Sequence, residues 1–306
     1  MATRHSLPYY APVESLPAPL PTMDEILDCE HFIGTSFPQY KQVRIRKHFY
    51  VKYGTNFLSL QEGENMLFIR ESTSIPVPTV YALFEERGFK VLILEYIEGR
   101  DLRECWGSLP IVGKETFTRQ IRRYLQEMRA IPSPGYYGGI WKQDIRDPLL
   151  MQEMDIGRVI PPGLGKSYQT EKEWCEMMLR VAEDYSPIEN PYNLEWARYK
   201  FHATLQEGHP PVFSNNCLAI RHMYRIRNDG VVVITDWNYA GWYPSYWVYY
   251  YASQYVVFRD DWTEWLRDIF KGMEYVAEEC VMESFYSWMQ YCGLTVFDDR
   301  DRYEPK

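Results

Sequence analysis

The sequence predicts an α+β chain, a small β-rich N-terminal part followed by a larger, mainly helical one, and three stretches carry that prediction. In residues 40–54, YKQVRIRK alternates apolar and polar positions with the period of two that marks a half-buried strand, and HFYVKYG follows as a further strand. Beyond Gly99 the apolar residues recur at helical spacing instead, as in Phe117, Ile121, Leu125 and Met128 with Tyr124 beside them. Between 211 and 243 lie a short apolar strand (Val212, Phe213), a polar loop and a hairpin whose turn ends in Asp229-Gly230, and an acidic residue, Asp236, closes the hairpin.

The elements follow in order. Residues up to about Asp28 are rich in proline, which favours an extended arm, so the expected division is an arm over 1–32, a β-rich part over 33–97 and a mainly helical part over 98–306. Strands are expected at FIGTSF (32–37), YKQVRIRK and HFYVKYG, and Lys52 sits in the last of them. A helix over about 60–70 has Leu60, Met66, Leu67 and Ile69 as its apolar positions and Ser59 at its start. The segment TSIPVP (73–78) ends it, because proline has no N–H to donate and disfavours a helical residue before it. Strands at 79–85 and 89–97 turn at Glu86-Arg87-Gly88. Helices are expected to end at Ile131-Pro132 and to run over 170–182, 194–207 and 261–290, with a long irregular segment over 132–165. The stripe Trp262, Trp265, Leu266, Ile269, Phe270 and Met273 reads as core packing.

Bulk properties exclude some functions. A net charge of -9 over 306 residues, without a dense Lys/Arg run, lacks the basic footprint of a nucleic-acid binder. The six cysteines (Cys29, Cys105, Cys175, Cys217, Cys280, Cys292) show no C-x-x-C and no zinc-type spacing, which points to free thiols in a reducing compartment. With no apolar signal-peptide core at the N-terminus, a cytoplasmic location is expected. Residues 239–258 carry no formal charge over about the span of a bilayer, but Pro244, Gln254, two serines and seven tyrosines make this a buried segment rather than a membrane span.

Several stretches together carry a family resemblance: YVKYG (50–54), LEYIEGRDL (94–102), YLQEMRAIPSPGYYGG (124–139), RDPL (146–149) and ITDWNYAGWYPSYW (234–247). In this order, over about residues 33–260, they resemble the aminoglycoside phosphotransferase family, particularly its fungal branch, which has a two-lobed protein-kinase-like fold. The resemblance implies that Lys52 is the strand lysine that steadies nucleotide phosphates, with Glu62 its helix partner and Glu64 the fallback. It makes Leu94 to Ile97 the hinge facing an adenine and Asp236 the metal-binding Asp. The catalytic loop departs from the family. Where the family has His-Gly-Asp and then an Asn five places after the Asp, this chain has Asn215, Asn216, Cys217 and His222.

The losses have a size. A general base contributes about 10²–10⁴ in rate. A thiol of ordinary pKa near 8.5 is mostly protonated at neutral pH and does not replace an oxygen ligand to Mg²⁺. The loop Gly34-Thr35-Ser36-Phe37-Pro38 is poor in glycine and offers few free N–H groups to phosphates. These changes imply a site that works without nucleotide, metal or other cofactor. The expected function is a repurposed enzyme of small-molecule, secondary metabolism that cyclises or rearranges a largely apolar substrate in the interlobe cleft, where orientation alone supplies several kcal/mol. Asn215, Asn216, Cys217, His222 and Asp236 are the candidate catalytic residues, and Lys52, Glu62, Trp237, Asn238 and Tyr239 the candidate substrate-binding ones. Other readings stay open: a Cys217-His222-Asp236 nucleophile set, a transition-metal site from the same groups, an acid/base isomerase or lyase using His222, a pseudokinase-like module that binds a ligand or partner protein, and residual phosphotransfer.

Overall fold

The computed structural model describes residues 3–33, 40–55, 58–147, 165–185, 191–205, 207–216, 224–254 and 261–291. They divide into two compact units, one of residues 1–106 with 221–238 and one of residues 107–220 with 239–306.

The first unit is built on an antiparallel sheet of β1 (Tyr9–Tyr10), β2 (Tyr40–Ile45), β3 (Phe49–Gly54), β4 (Val80–Glu86) and β5 (Phe89–Glu95), in the order β1-β4-β5-β3-β2. The period of two sends Val43, Phe49, Val51, Val91 and Ile93 to one face, where they pack with Met23 and Ile26 of α1 (Met23–Leu27). Lys52 therefore belongs to the opposite face, with its cross-strand partners Gln42 and Leu92. The segment expected as an extended arm supplies both β1 and α1. The two tyrosines of β1 are held by pairing with β4, and α1 starts on a capping box between Thr22 and Glu25.

Helix α2 (Gln61–Ser72) starts one residue after Leu60, and the Ser59 hydroxyl accepts the Gln61 N–H at 3.2 Å. Its Gly63 allows a close approach to the sheet, since a Cβ there would lie 2.2 Å from Cδ2 of Leu83 in β4. The turn between β4 and β5 uses positive φ at Arg87 (51°) and Gly88 (80°), the geometry of a tight hairpin. A second sheet pairs β6 (Arg100–Asp101) with the hairpin of β8 (Tyr224–Ile226) and β9 (Val232–Ile234), in the order β6-β8-β9, and α3 (Leu102–Cys105) follows β6. This pairing places the division after Trp106 rather than at the expected 97/98, and it returns 221–238 to the first unit.

The second unit contains α4 (Ile111–Ala130), which buries Phe117, Ile121, Tyr124, Leu125 and Met128 and stops before Pro132. It also holds α5 (Glu171–Tyr185), α6 (Pro191–Thr204) and a two-stranded antiparallel sheet of β7 (Pro211–Asn215) and β10 (Ala240–Pro244). Its core gathers Trp174, Tyr137, Tyr243, Tyr246, Trp247, Tyr250 and Tyr251, so those of these aromatic residues that follow Asp236 in the chain are packing residues. The single helix expected over 261–290 is two, α8 (Trp262–Phe270) and α9 (Val276–Tyr291), with α7 (Trp247–Gln254) before them. The break comes at Gly272 (φ 78°), and Arg122 of α4 satisfies the freed carbonyls of Ile269 at 2.9 Å and Lys271 at 2.7 Å. Among the described residues no helix is long and apolar enough to cross a membrane, and the uncharged stretch from 239 forms β10 and α7.

Candidate functional site

Three charged side chains of the first unit meet at the end of α2. Lys52, in the middle of β3, directs Nζ at both carboxylate oxygens of Glu62, 2.7 and 3.0 Å away. Glu62 lies in the first turn of α2, where the helix N-terminus favours a negative charge. Asp236 follows β9 and brings Oδ2 to 3.7 Å from the same ammonium, while its Oδ1 accepts the Asn238 N–H at 2.9 Å. The side chain of Asp236 keeps 19% of its exposure, against 7% for Lys52 and 3% for Glu62, so it is the solvent-facing end of the line.

Burial works against the Lys52 ammonium, but the charges of Glu62 and then Asp236 outweigh it and hold its pKa well above the usual lysine value. Glu62 is pushed up to about 7 by burial, with Asp236 adding to the rise, while Lys52 and the Trp237 N–H oppose it. The two directions fit one picture. Two carboxylates face one ammonium in a poorly solvated place, and the excess negative charge draws a proton near neutrality. The adjoining segment is fixed by Asn65, whose Nδ2 donates to the Trp237 carbonyl at 2.8 Å, and by Trp237 Nε1 donating to the Ile234 carbonyl at 3.0 Å.

In the second unit the end of β7 leads to Asn215 and Asn216, 2% and 0% exposed. The Asn216 Nδ2 donates to Oδ2 of Asp147 at 2.8 Å, and the same carboxylate receives Trp247 Nε1 at 2.9 Å and the Tyr251 hydroxyl at 2.7 Å. Asp147 is completely buried, so these donors replace the water it gives up. The sequence reading passed over Asp147 although it stands in RDPL. A charged residue between Arg146 and Pro148 looks like any loop residue, and only the fold brings Trp247 and Tyr251 to it.

Of the expected site residues, Lys52, Glu62 and Asp236 come together as a charge line, with Trp237 and Asn238 beside it in the chain. Trp237 is fully buried, whereas Asn238 and Tyr239 are partly exposed. Cys217, His222 and the loop 34–38 lie outside the described residues, as does 148–164 of the expected irregular segment. Glu64, the fallback partner of Lys52, instead accepts the Arg4 guanidinium at 3.1 Å.

Measured against the nucleotide and Mg²⁺ that the resemblance implies, these residues fit in part. Lys52 and Asp236 have the charge and kind to meet a phosphate and a hard cation. Among the described residues no group of three His, Cys, Asp or Glu is placed to hold a metal ion, and His222, which the resemblance sets at the second ligand position, lies outside them.

No family model matches the sequence, and no curated protein matches it. Among solved structures the chain is similar to the aminoglycoside phosphotransferase APH(4)-Ia, with a TM-score of 0.50 and 10% identity over 87% of this chain and 93% of that one. It is also similar to the choline kinase LicA from Streptococcus pneumoniae, with a TM-score of 0.49 and 15% identity over 89% of each chain. A third is the aminoglycoside phosphotransferase APH(3'')-Id from Streptomyces rimosus, at a TM-score of 0.43 and 13% identity over 89% of this chain and 88% of that one. The chain has the aminoglycoside phosphotransferase-like, protein-kinase-like α+β fold, with its antiparallel sheet N-terminal and its helical part C-terminal.

Proposed function

We propose that this chain is an enzyme that has kept a phosphotransferase fold and exchanged phosphoryl transfer for the cyclisation or rearrangement of a largely apolar small molecule in cytoplasmic secondary metabolism. The Glu62–Lys52–Asp236 line carries the reading. Buried ion pairs are often neutral or costly compared with packed apolar side chains, so three charges kept together with a perturbed carboxylate mark a working site better than they explain stability. Lys52 is a fixed positive charge that Glu62 orients, suited to polarising a substrate carbonyl, and Glu62 titrates near neutrality.

The loop supports the change of chemistry. Its Asp position is Cys217 and its Asn position is His222, neither of which replaces a carboxylate base and an oxygen ligand. Asn216, with its amide spent on Asp147, is a positioning residue, and Asn215, Cys217, His222 and Asp236 remain the proposed catalytic set. Trp237 contributes through its backbone, Asn238 and Tyr239 through partly exposed side chains. A second reading, retained phosphotransfer, is favoured by the 2.7 Å Lys52–Glu62 bond and by Asp236 beside it.

Mass separates the two. Purified protein and its Lys52→Ala variant are added to a small-molecule extract of cells lacking the gene. Cyclisation or rearrangement gives a new product isomeric with its precursor, whereas phosphotransfer adds the mass of a phosphoryl group. An unchanged profile in both arms leaves the chain a binding protein and ends the enzymatic reading.

A further inference from the structure

His209 lies just before β7, only 7% exposed, and both of its ring nitrogens meet carboxylates. Nδ1 is 2.5 Å from Oε1 of Glu171 at the start of α5, and Nε2 is 3.0 Å from Oε1 of Glu278 in the first turn of α9. An ionised carboxylate only accepts, and a neutral imidazole has a single N–H to donate. Two such contacts therefore require both ring nitrogens to be protonated, and the imidazolium ties the two helix starts together. The backbone completes the junction: the His209 N–H donates to Glu171 Oε2 at 3.0 Å and its carbonyl accepts the Tyr137 hydroxyl at 3.0 Å.

The neighbours on every side make this cation matter. Cys175 of α5 stands near Glu171, and the Tyr246 ring lies edge-on to the imidazole at 5.0 Å with a buried hydroxyl that has no partner among the described residues. Tyr275, 6.1 Å from the imidazole ring, accepts Arg129 of α4 on its hydroxyl at 2.9 Å. Without its second proton His209 would lose its hydrogen bond to one of the two carboxylates, the buried Glu171 or the partly exposed Glu278.

We propose that His209 is a pH-sensitive latch that docks the start of α9 and, through the elements it joins, governs the Asp147–Asn216 bond. Two physical links run that way. His209 directly precedes β7, whose far end carries Asn215, and α9 packs on α7, which supplies Trp247 and Tyr251 to Asp147. The Glu171 and Glu278 hydrogen bonds overcome the burial that favours neutral imidazole and raise its pKa, so the latch is closed at low pH and opens as pH rises through the folded-state value. The inference is independent of the reaction catalysed.

The test uses the full-length ¹⁵N-labelled chain. The ring nitrogens of His209 are titrated by NMR, assigned by their loss in His209→Gln, and amide exchange in α9 is followed at pH values either side of the midpoint. The expected result is a midpoint above that of a free imidazole, about 6.5, with α9 losing protection across it. Glu278→Gln, which keeps the Glu171 bond should His209→Gln fail to fold, lowers the midpoint and makes α9 protection independent of pH. A His209 that titrates at or below the free value, or α9 protection that ignores pH in the unsubstituted chain, overturns the latch.

Discussion

Lys52 donates to both oxygens of Glu62, and each residue is more than nine-tenths buried. The pair joins β3, which lies between β5 and β2 in the first sheet, to the start of α2. Removing one partner leaves an uncompensated charge, which typically costs about 3–5 kcal/mol. Lys52→Met is expected to lose stability on that scale in urea denaturation, and Lys52→Met/Glu62→Leu to recover most of it. Equal losses in the single and double variants would show that the pair is not the unit of stability.

The raised pKa of Glu62 predicts a pH dependence of definite sign. Between the ordinary carboxylate value of 4.5 and about 7 the folded chain binds more protons than the unfolded one, so stability falls as pH rises through that window. A shift of this size corresponds to about 3 kcal/mol for one isolated group. Denaturation at pH 5 and pH 8 is expected to show the fall, with Glu62→Gln flattening it and leaving the part that belongs to His209.

Asp147→Ala leaves the Asn216 amide, the Trp247 indole and the Tyr251 hydroxyl without their acceptor. Unsatisfied buried groups cost about 1–3 kcal/mol each. A loss of at least 3 kcal/mol is therefore expected by chemical denaturation, and Asn216→Ala is expected to lose about 1 kcal/mol. A neutral Asp147→Ala would show that these three donors do not depend on Asp147.

Gly63→Ala tests how α2 is seated. The added Cβ would lie 2.2 Å from Cδ2 of Leu83, a fully buried side chain that has to shift to admit it. Overpacking of this kind costs about 1–3 kcal/mol, and Leu83→Ala in the same chain is expected to add less than its separate cost. Strictly additive losses would mean that α2 does not sit against Leu83.

Most of the first sheet was legible because β2 alternates, β4 and β5 are short apolar runs, and Gly88 marks a turn. The strand Tyr9–Tyr10 and helix α1 were not, since two tyrosines and five residues among prolines form only against β4 and the sheet face. The fusion of α8 and α9 into one expected helix came from following an apolar stripe past Gly272. Within the site, Lys52, Glu62 and Asp236 were readable through the family resemblance. Asp147 was not, because its partners lie a hundred positions or so away in α7. An aromatic run such as the one after Asp236 can line a pocket or fill a core, and Trp242, Tyr243, Tyr246 and Trp247 are core. Composition alone does not distinguish the two.

The proposed change of chemistry also bears on nucleotide affinity. A ligand present near its dissociation constant stabilises by about RT ln 2, roughly 0.4 kcal/mol. Millimolar Mg-ATP is therefore expected to move the melting temperature little, and a shift of several degrees that disappears in Asp236→Ala would contradict this.

The most direct measurement incubates the purified chain with γ-labelled Mg-ATP and a panel of amino and hydroxy compounds, beside Lys52→Ala. The expected result is no labelled product and no phosphate release above that variant. Clear turnover that depends on Lys52 would contradict it, and would make the chain a phosphotransferase that works with Cys217 and His222 in its catalytic loop.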